Sequence, residues 1–258
     1  MTISGFHLGA GAARGIVVLN HGFTGSPWDM EPVGALLEDA GYEVICRRLP
    51  GHGFPEGPEN NSWQGWLGEA QGAVDEAVRL AQGRPIAVAG LSMGALLTLR
   101  LARDNAESIR AISTFAPAVE VSSFNRFGIG LLSLLTSLGL GSMELPKRGM
   151  DSQDPEVREN NPGSNPFPWS AYKSFGELRI ATRAMVAEVK TPLLILHGLL
   201  DTTCPIEGSA WLEQSVGSAD VSRVVLDRSG HVITRDIQLE ELGAALLPFL
   251  ERTLGTPA

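Results

Sequence analysis

Residues 85–103 read PIAVAGLSMGALLTLRLAR. The first residues form a short apolar run with the character of a buried strand, and the last ten carry apolar residues at helical spacing. Between them Gly90-Leu91-Ser92-Met93-Gly94 fits the pattern G-x-S-x-G. A chain that turns sharply from strand into helix forces the central serine into a strained backbone conformation. Side chains in place of either glycine would collide with neighbouring backbone. The serine oxygen then stands clear at the start of the helix. The pentapeptide alone is a weak signal, but its position between a strand and a helix makes Ser92 a candidate nucleophile.

The same two kinds of segment alternate along the chain. Apolar runs at 15–20 (GIVVLN), 42–46 (YEVIC), 85–90, 109–115 (IRAISTF), 191–197 (TPLLILH) and 221–226 (VSRVVL) lack polar alternation, as strands covered on both faces do. Helical patterns at 30–40, 64–82, 93–105, 207–215 and 239–253 separate them. This order predicts an α/β fold with a mostly parallel sheet, right-handed crossovers and helices on both faces. The alternation breaks once, between Ala116 and Lys190, where no strand-like run occurs. The spacing therefore predicts a core at 1–117 and 191–258 with a helical cap inserted at 118–190. An insertion placed there lies over the C-terminal ends of the strands, where open α/β sheets bind ligands. The glycine-rich stretch 9–15 precedes a strand instead of following one, and so reads as a hairpin turn, not a dinucleotide loop.

A serine hydroxyl needs a base, and the base needs an orienting acid. After an elbow of this kind the partners follow in the order serine, acid, histidine. Of five histidines only His231, in the loop RSGHVIT after the last strand, comes late enough. His21, His52 and His197 adjoin glycines in turns and read as residues that satisfy backbone groups, and His7 as a surface strand residue. Asp201 ends the strand-and-turn run TPLLILHGLLD and is the favoured acid. Asp227 is the rival, though close to His231 along the chain, and Asp236 is out of order. Backbone N–H groups of Met93 and of Phe23, in the loop HGFTG after GIVVLN, are candidates for an oxyanion hole. No metal or cofactor is called for. Cys204 reads as a small packing residue.

Composition narrows the partners. With 20 Lys+Arg against 29 Asp+Glu the formal net charge is −9, which argues against nucleic acid and anionic membrane surfaces and suits a neutral small molecule. Two cysteines are too few for a disulfide framework, and the first residues show no secretory signal, so the cytoplasm is expected. Residues 127–143 carry no charge, yet they fall short of the roughly 18–20 apolar residues that span a bilayer, and no stable membrane insertion is expected. Oligomeric state is not legible.

The segments HGFTGSP (21–27), LPGHG (49–53), VAGLSMG (88–94), LHGLLD (196–201) and SGHVIT (229–234) together resemble the bacterial carboxylesterase/monoacylglycerol lipase family of α/β-hydrolases. The combination of HGFTG with SGHVIT is its most specific feature, and the likeness fades in the cap. The resemblance implies a triad of Ser92, Asp201 and His231, an oxyanion hole from Phe23 and Met93, and an acyl-enzyme mechanism without cofactor. The stretch 124–140, with Phe124, Phe127, Ile129, Leu131, Leu132, Leu134, Leu135, Leu138 and Leu140, lines either core or an acyl pocket. Facing a pocket, it would favour short-to-medium acyl esters, including monoacylglycerols. The alternatives are a thioesterase or C–C bond hydrolase with the same residues, and a non-catalytic ligand-binding protein.

Overall fold

A computed structural model describes residues 4–53, 58–145, 149–160 and 166–255. Its strands and helices run β1 (Phe6–Leu8), β2 (Ile16–Asn20), α1 (Glu31–Asp39), β3 (Glu43–Cys46), α2 (Trp63–Ala81), β4 (Ile86–Leu91), α3 (Met93–Asp104) and β5 (Ile109–Phe115). There follow α4 (Ser123–Leu135), β6 (Glu144–Leu145), α5 (Pro155–Asn160), β7 (Phe167–Pro168), α6 (Trp169–Met185), β8 (Leu193–Gly198), α7 (Glu207–Ser215), β9 (Val221–Leu226) and α8 (Leu239–Leu254). All six predicted strands are present, and the predicted helices agree to within a few residues.

The main sheet has the order β1-β3-β2-β4-β5-β8-β9. Every neighbouring pair is parallel except the edge strand β1, which runs antiparallel to β3. This is the α/β-hydrolase architecture expected above. The stretch 9–15 is a turn but not a hairpin, because β3 lies between β1 and β2 in the sheet. Three residues of β1 are too short a run to announce an antiparallel edge.

Strand side chains alternate between two apolar layers. Ile16 and Val18 join a cluster with Val74, Leu97 and Leu178, from α2, α3 and α6. Val17 and Leu19 join the opposite cluster with Leu37, Leu246 and Leu250, from α1 and α8. Burial on both faces explains why these strands are unbroken apolar runs.

Between β5 and β8, α6 packs against α2 and α3, and α4 packs against α6. Ser122 caps α4 by accepting from the Asn125 N–H at 3.4 Å. The leucine-rich stretch divides by face. Ile129 sits against α6, where a Cβ on Gly176 would lie 2.8 Å from its Cγ2. Phe127 and Leu138, 73% and 70% exposed, point outward together with Leu131 and Leu134. The side chain of Phe124 lies outside the described residues. No described helix is long and apolar enough to cross a membrane.

Candidate active site

Four loops at the C-terminal ends of β2, β4, β8 and β9 build the site. At the end of β4 the chain reverses into α3 with Ser92 at φ 55° and ψ −110°, a strained conformation for a residue with a side chain. A Cβ on Gly90 would run into the carbonyl of Gly94, and one on Gly94 would run into the carbonyl of Asn20. Both glycines of the motif are thus dictated by close backbone approach. The turn is pinned by Ser92 N–H donating to Phe115 O at 2.8 Å.

Ser92 Oγ lies 2.9 Å from His231 Nε2, and His231 Nδ1 lies 2.7 Å from Asp201 Oδ2. In the neutral ring Nδ1–H donates to the carboxylate, leaving Nε2 to accept the serine proton. Asp201 Oδ1 accepts from the N–H groups of Thr203 and Cys204, both at 2.8 Å. Asp227 is elsewhere: its side chain is 73% exposed and accepts from Gln238 Nε2 at 3.0 Å. Asp236 takes the Gly230 N–H at 2.7 Å and so shapes the histidine loop.

Electrostatics follow from burial and pairing. Burial pulls the His231 imidazole down, but the charge and hydrogen bond of Asp201, with Asp151 and Asp29 further off, outweigh it and raise its pKa above 6.5. Burial pushes Asp201 up, yet His231, His197 and the Cys204 N–H hold its carboxyl well below the usual range. Burial raises the Cys204 thiol well above its ordinary value. Asp201, Cys204 and His231 present potential metal ligands within 4.8 Å of one another. The carboxylate and the Nδ1 ring nitrogen are already committed to each other, which leaves these atoms arranged as a proton relay.

The loop after β2 passes beside the serine, close enough that a Cβ on Gly22 would lie 3.4 Å from Ser92 Cβ. Phe23 follows, its ring stacked on Phe175 with centroids 5.1 Å apart. Met93 opens α3, where the first N–H groups have no partner within the helix. A cavity of about 1020 Å³ contains Ser92 and His231. Phe23, Ile129, Leu132 and Phe175 give it apolar lining, and Asp151, Gln153 and Thr202 give it polar lining.

Three other histidines satisfy backbone or neighbouring groups. His21 Nε2 accepts from the Leu49 N–H at 3.0 Å, His52 Nδ1 lies 2.9 Å from Pro50 O, and His7 in β1 pairs with Glu43. His197 does more than sequence reasoning assigned it, because its Nε2 reaches Asp201 Oδ2 at 3.0 Å. The i,i+4 spacing at a strand end was the available signal. Asp151 is also brought in, from far along the chain, and nothing in the local sequence marks it.

A family model described as serine aminopeptidase, S33, matches residues 11–238. The chain is 28% identical to a thermostable monoacylglycerol lipase of Bacillus sp. (strain H-257) over 93% of this chain and 91% of the relative. It is 25% identical to a carboxylesterase of Bacillus subtilis (strain 168), covering 92% of each. Among solved structures, a chain from the metagenome-derived lipolytic enzymes LipS and LipT superposes with a TM-score of 0.84 at 25% identity, covering 97% of this chain and 98% of that one.

Proposed function

Since this chain belongs to the family described as serine aminopeptidase, S33, and folds as an α/β-hydrolase, we propose that it is a serine hydrolase cleaving carboxylic esters. Short-to-medium acyl esters, including monoacylglycerols, are the substrate class. The observation that carries the reading is the continuous chain Ser92–His231–Asp201, at 2.9 and 2.7 Å, opening on an apolar-walled cavity. The names of the similar lipase and carboxylesterase support esters over peptides. So does the apolar lining from Phe23, Ile129, Leu132 and Phe175.

His231 Nε2 takes the Ser92 proton as Oγ bonds to the ester carbonyl carbon, and Asp201 stabilises the imidazolium. The tetrahedral oxyanion accepts hydrogen bonds from the N–H groups of Phe23 and Met93. As the C–O bond breaks, His231 passes the proton to the departing alcohol. Water then gives a proton to His231 and attacks the acyl-enzyme, and collapse releases the acid and restores Ser92. Residues 118–190 serve as a lid over the core formed by 1–117 and 191–258, and the apolar face of α4 helps seat the acyl chain. Two free cysteines, Cys46 and Cys204, both buried, suit a reducing cytoplasm as the enzyme's place. Its partner is a small neutral ester.

A chain-length series of p-nitrophenyl esters, run beside monoacylglycerols, an acyl-CoA, a β-diketone and leucine p-nitroanilide, tests the reading. Octanoyl esters should surpass acetyl esters in kcat/KM, and the thioester, diketone and anilide should be slower. Equal kcat/KM for acetyl and octanoyl esters would count against the apolar acyl site. Faster cleavage of the thioester, diketone or anilide would reassign the reaction.

A further inference from the structure

Asp151 belongs to the stretch between β6 and α5, far along the chain from both Asp201 and His231. Its Oδ2 accepts from Thr202 N–H at 2.9 Å and from Thr202 Oγ1 at 2.7 Å, with Thr203 Oγ1 at 3.3 Å. Its main-chain carbonyl accepts from the Val232 N–H at 2.9 Å. The side chain therefore holds the residue that follows Asp201, and the main chain holds the residue that follows His231. The neighbouring residues continue the seam. Ser152 Oγ donates to Arg235 O at 3.1 Å, and Gln153 N–H donates to Asp236 Oδ1 at 2.8 Å. The other oxygen of Asp236 takes the Gly230 N–H.

On the ester-hydrolase reading above, we propose that Asp151 is a positioning residue that locks the acid turn and the histidine loop into catalytic register. One carboxylate oxygen accepts from both the N–H and the O–H of Thr202, and a carboxamide oxygen in its place has the two lone pairs to do the same. Ala would keep the main-chain bond to Val232 N–H but release the acid turn at Thr202. Displacements of even 1 Å from a productive geometry cost on the order of 100-fold in rate. The inserted segment thus does more than cover the cavity, because it completes the frame on which the proton relay is hung.

The charge of Asp151 acts on the same ring. The groups that bear on His231 are Asp201 in direct contact, Asp151 and Asp29 at longer range. The uncharged Cys204 thiol and Arg158 share the cavity. Removing the Asp151 charge withdraws one of the anions that favour the imidazolium, so His231 should lose its proton at lower pH.

The test compares Asp151→Ala and Asp151→Asn in the full chain, with p-nitrophenyl butyrate as substrate and kcat, KM and the pH profile as readouts. Asp151→Ala should lower kcat by about 10- to 100-fold with KM nearly unchanged. Asp151→Asn, which keeps the acceptor for Thr202, should restore most of kcat while its acid limb moves to lower pH. Wild-type kcat in Asp151→Ala would overturn the proposal. So would equal losses in both variants with an unmoved acid limb, since that pattern belongs to a merely structural contact. Ser92→Ala is run alongside, because retained turnover there would sink the ester-hydrolase reading itself, a signature that no Asp151 result can mimic.

Discussion

His197 Nε2 lies 3.0 Å from Asp201 Oδ2, the same oxygen that His231 reaches from the other side. Both side chains of this pair are almost fully buried. Nε2 also lies 3.1 Å from Cys204 O, and since both neighbours only accept, Nε2 carries the proton. His197 therefore donates to a buried carboxylate. His197→Leu should cost about 1.5–3 kcal/mol, the scale of a hydrogen bond to a charged group, read from urea unfolding. His197→Gln should recover part of it. Unchanged midpoints in the Leu variant would contradict this bond's role.

The acid assignment separates two carboxylates that the sequence leaves in competition. Asp201→Asn should lower kcat by roughly 10⁴, as loss of the orienting carboxylate does in serine-protease triads. Asp227→Asn, at an exposed position away from His231, should leave kcat within about twofold, in line with ordinary surface substitutions. Steady-state ester kinetics on the two variants decide between them.

The His231 contribution to stability should respond to pH in the opposite sense to activity, and the Asp201 contribution in the same sense. In the proposed mechanism His231 must be neutral to accept the serine proton, and its pKa is raised, so kcat/KM should climb through an acid limb centred above the ordinary 6.5. In the folded protein the raised pKa stabilises the native state fully below the unfolded value, and that contribution fades as pH rises through the folded value. Asp201 is depressed, so its contribution is present above the unfolded carboxylate value and is lost in strong acid. A pH series of Tm beside kcat/KM checks both signs. An acid limb below 6.5 would contradict the Asp201–His231 coupling.

Acyl-chain preference should follow the inward face of α4 and not its outward one. Leu132→Trp fills cavity volume and should lower the octanoyl-to-acetyl ratio of kcat/KM. Each methylene displaced from an apolar wall is worth about 0.8 kcal/mol, nearly fourfold. Leu134→Gln, at a position 59% exposed, should leave the ratio unchanged. The chain-length series on both variants measures it.

What the sequence made legible was what short-range pattern encodes. Apolar runs fixed six strands, and GLSMG between a strand and a helix marked Ser92. Chain order singled out His231 among five histidines. Contacts made across long stretches of chain left no such trace. Asp227 and Asp201 compete in the sequence because nearness along the chain says nothing of direction, and the structure turns Asp227 to solvent. Asp151 meets Thr202 only once the stretch between β5 and β8 is folded. The α4 stripe could be read as apolar, but which face is covered depends on where α6 lies.

The most direct measurement is ester turnover by Ser92→Ala beside the wild-type chain, with fluorophosphonate labelling followed by intact mass. Wild-type protein should gain one adduct at Ser92, and the variant should gain none and lose on the order of 10⁶ in kcat. Labelling or near-wild-type turnover in Ser92→Ala would contradict an acyl-enzyme formed at this serine.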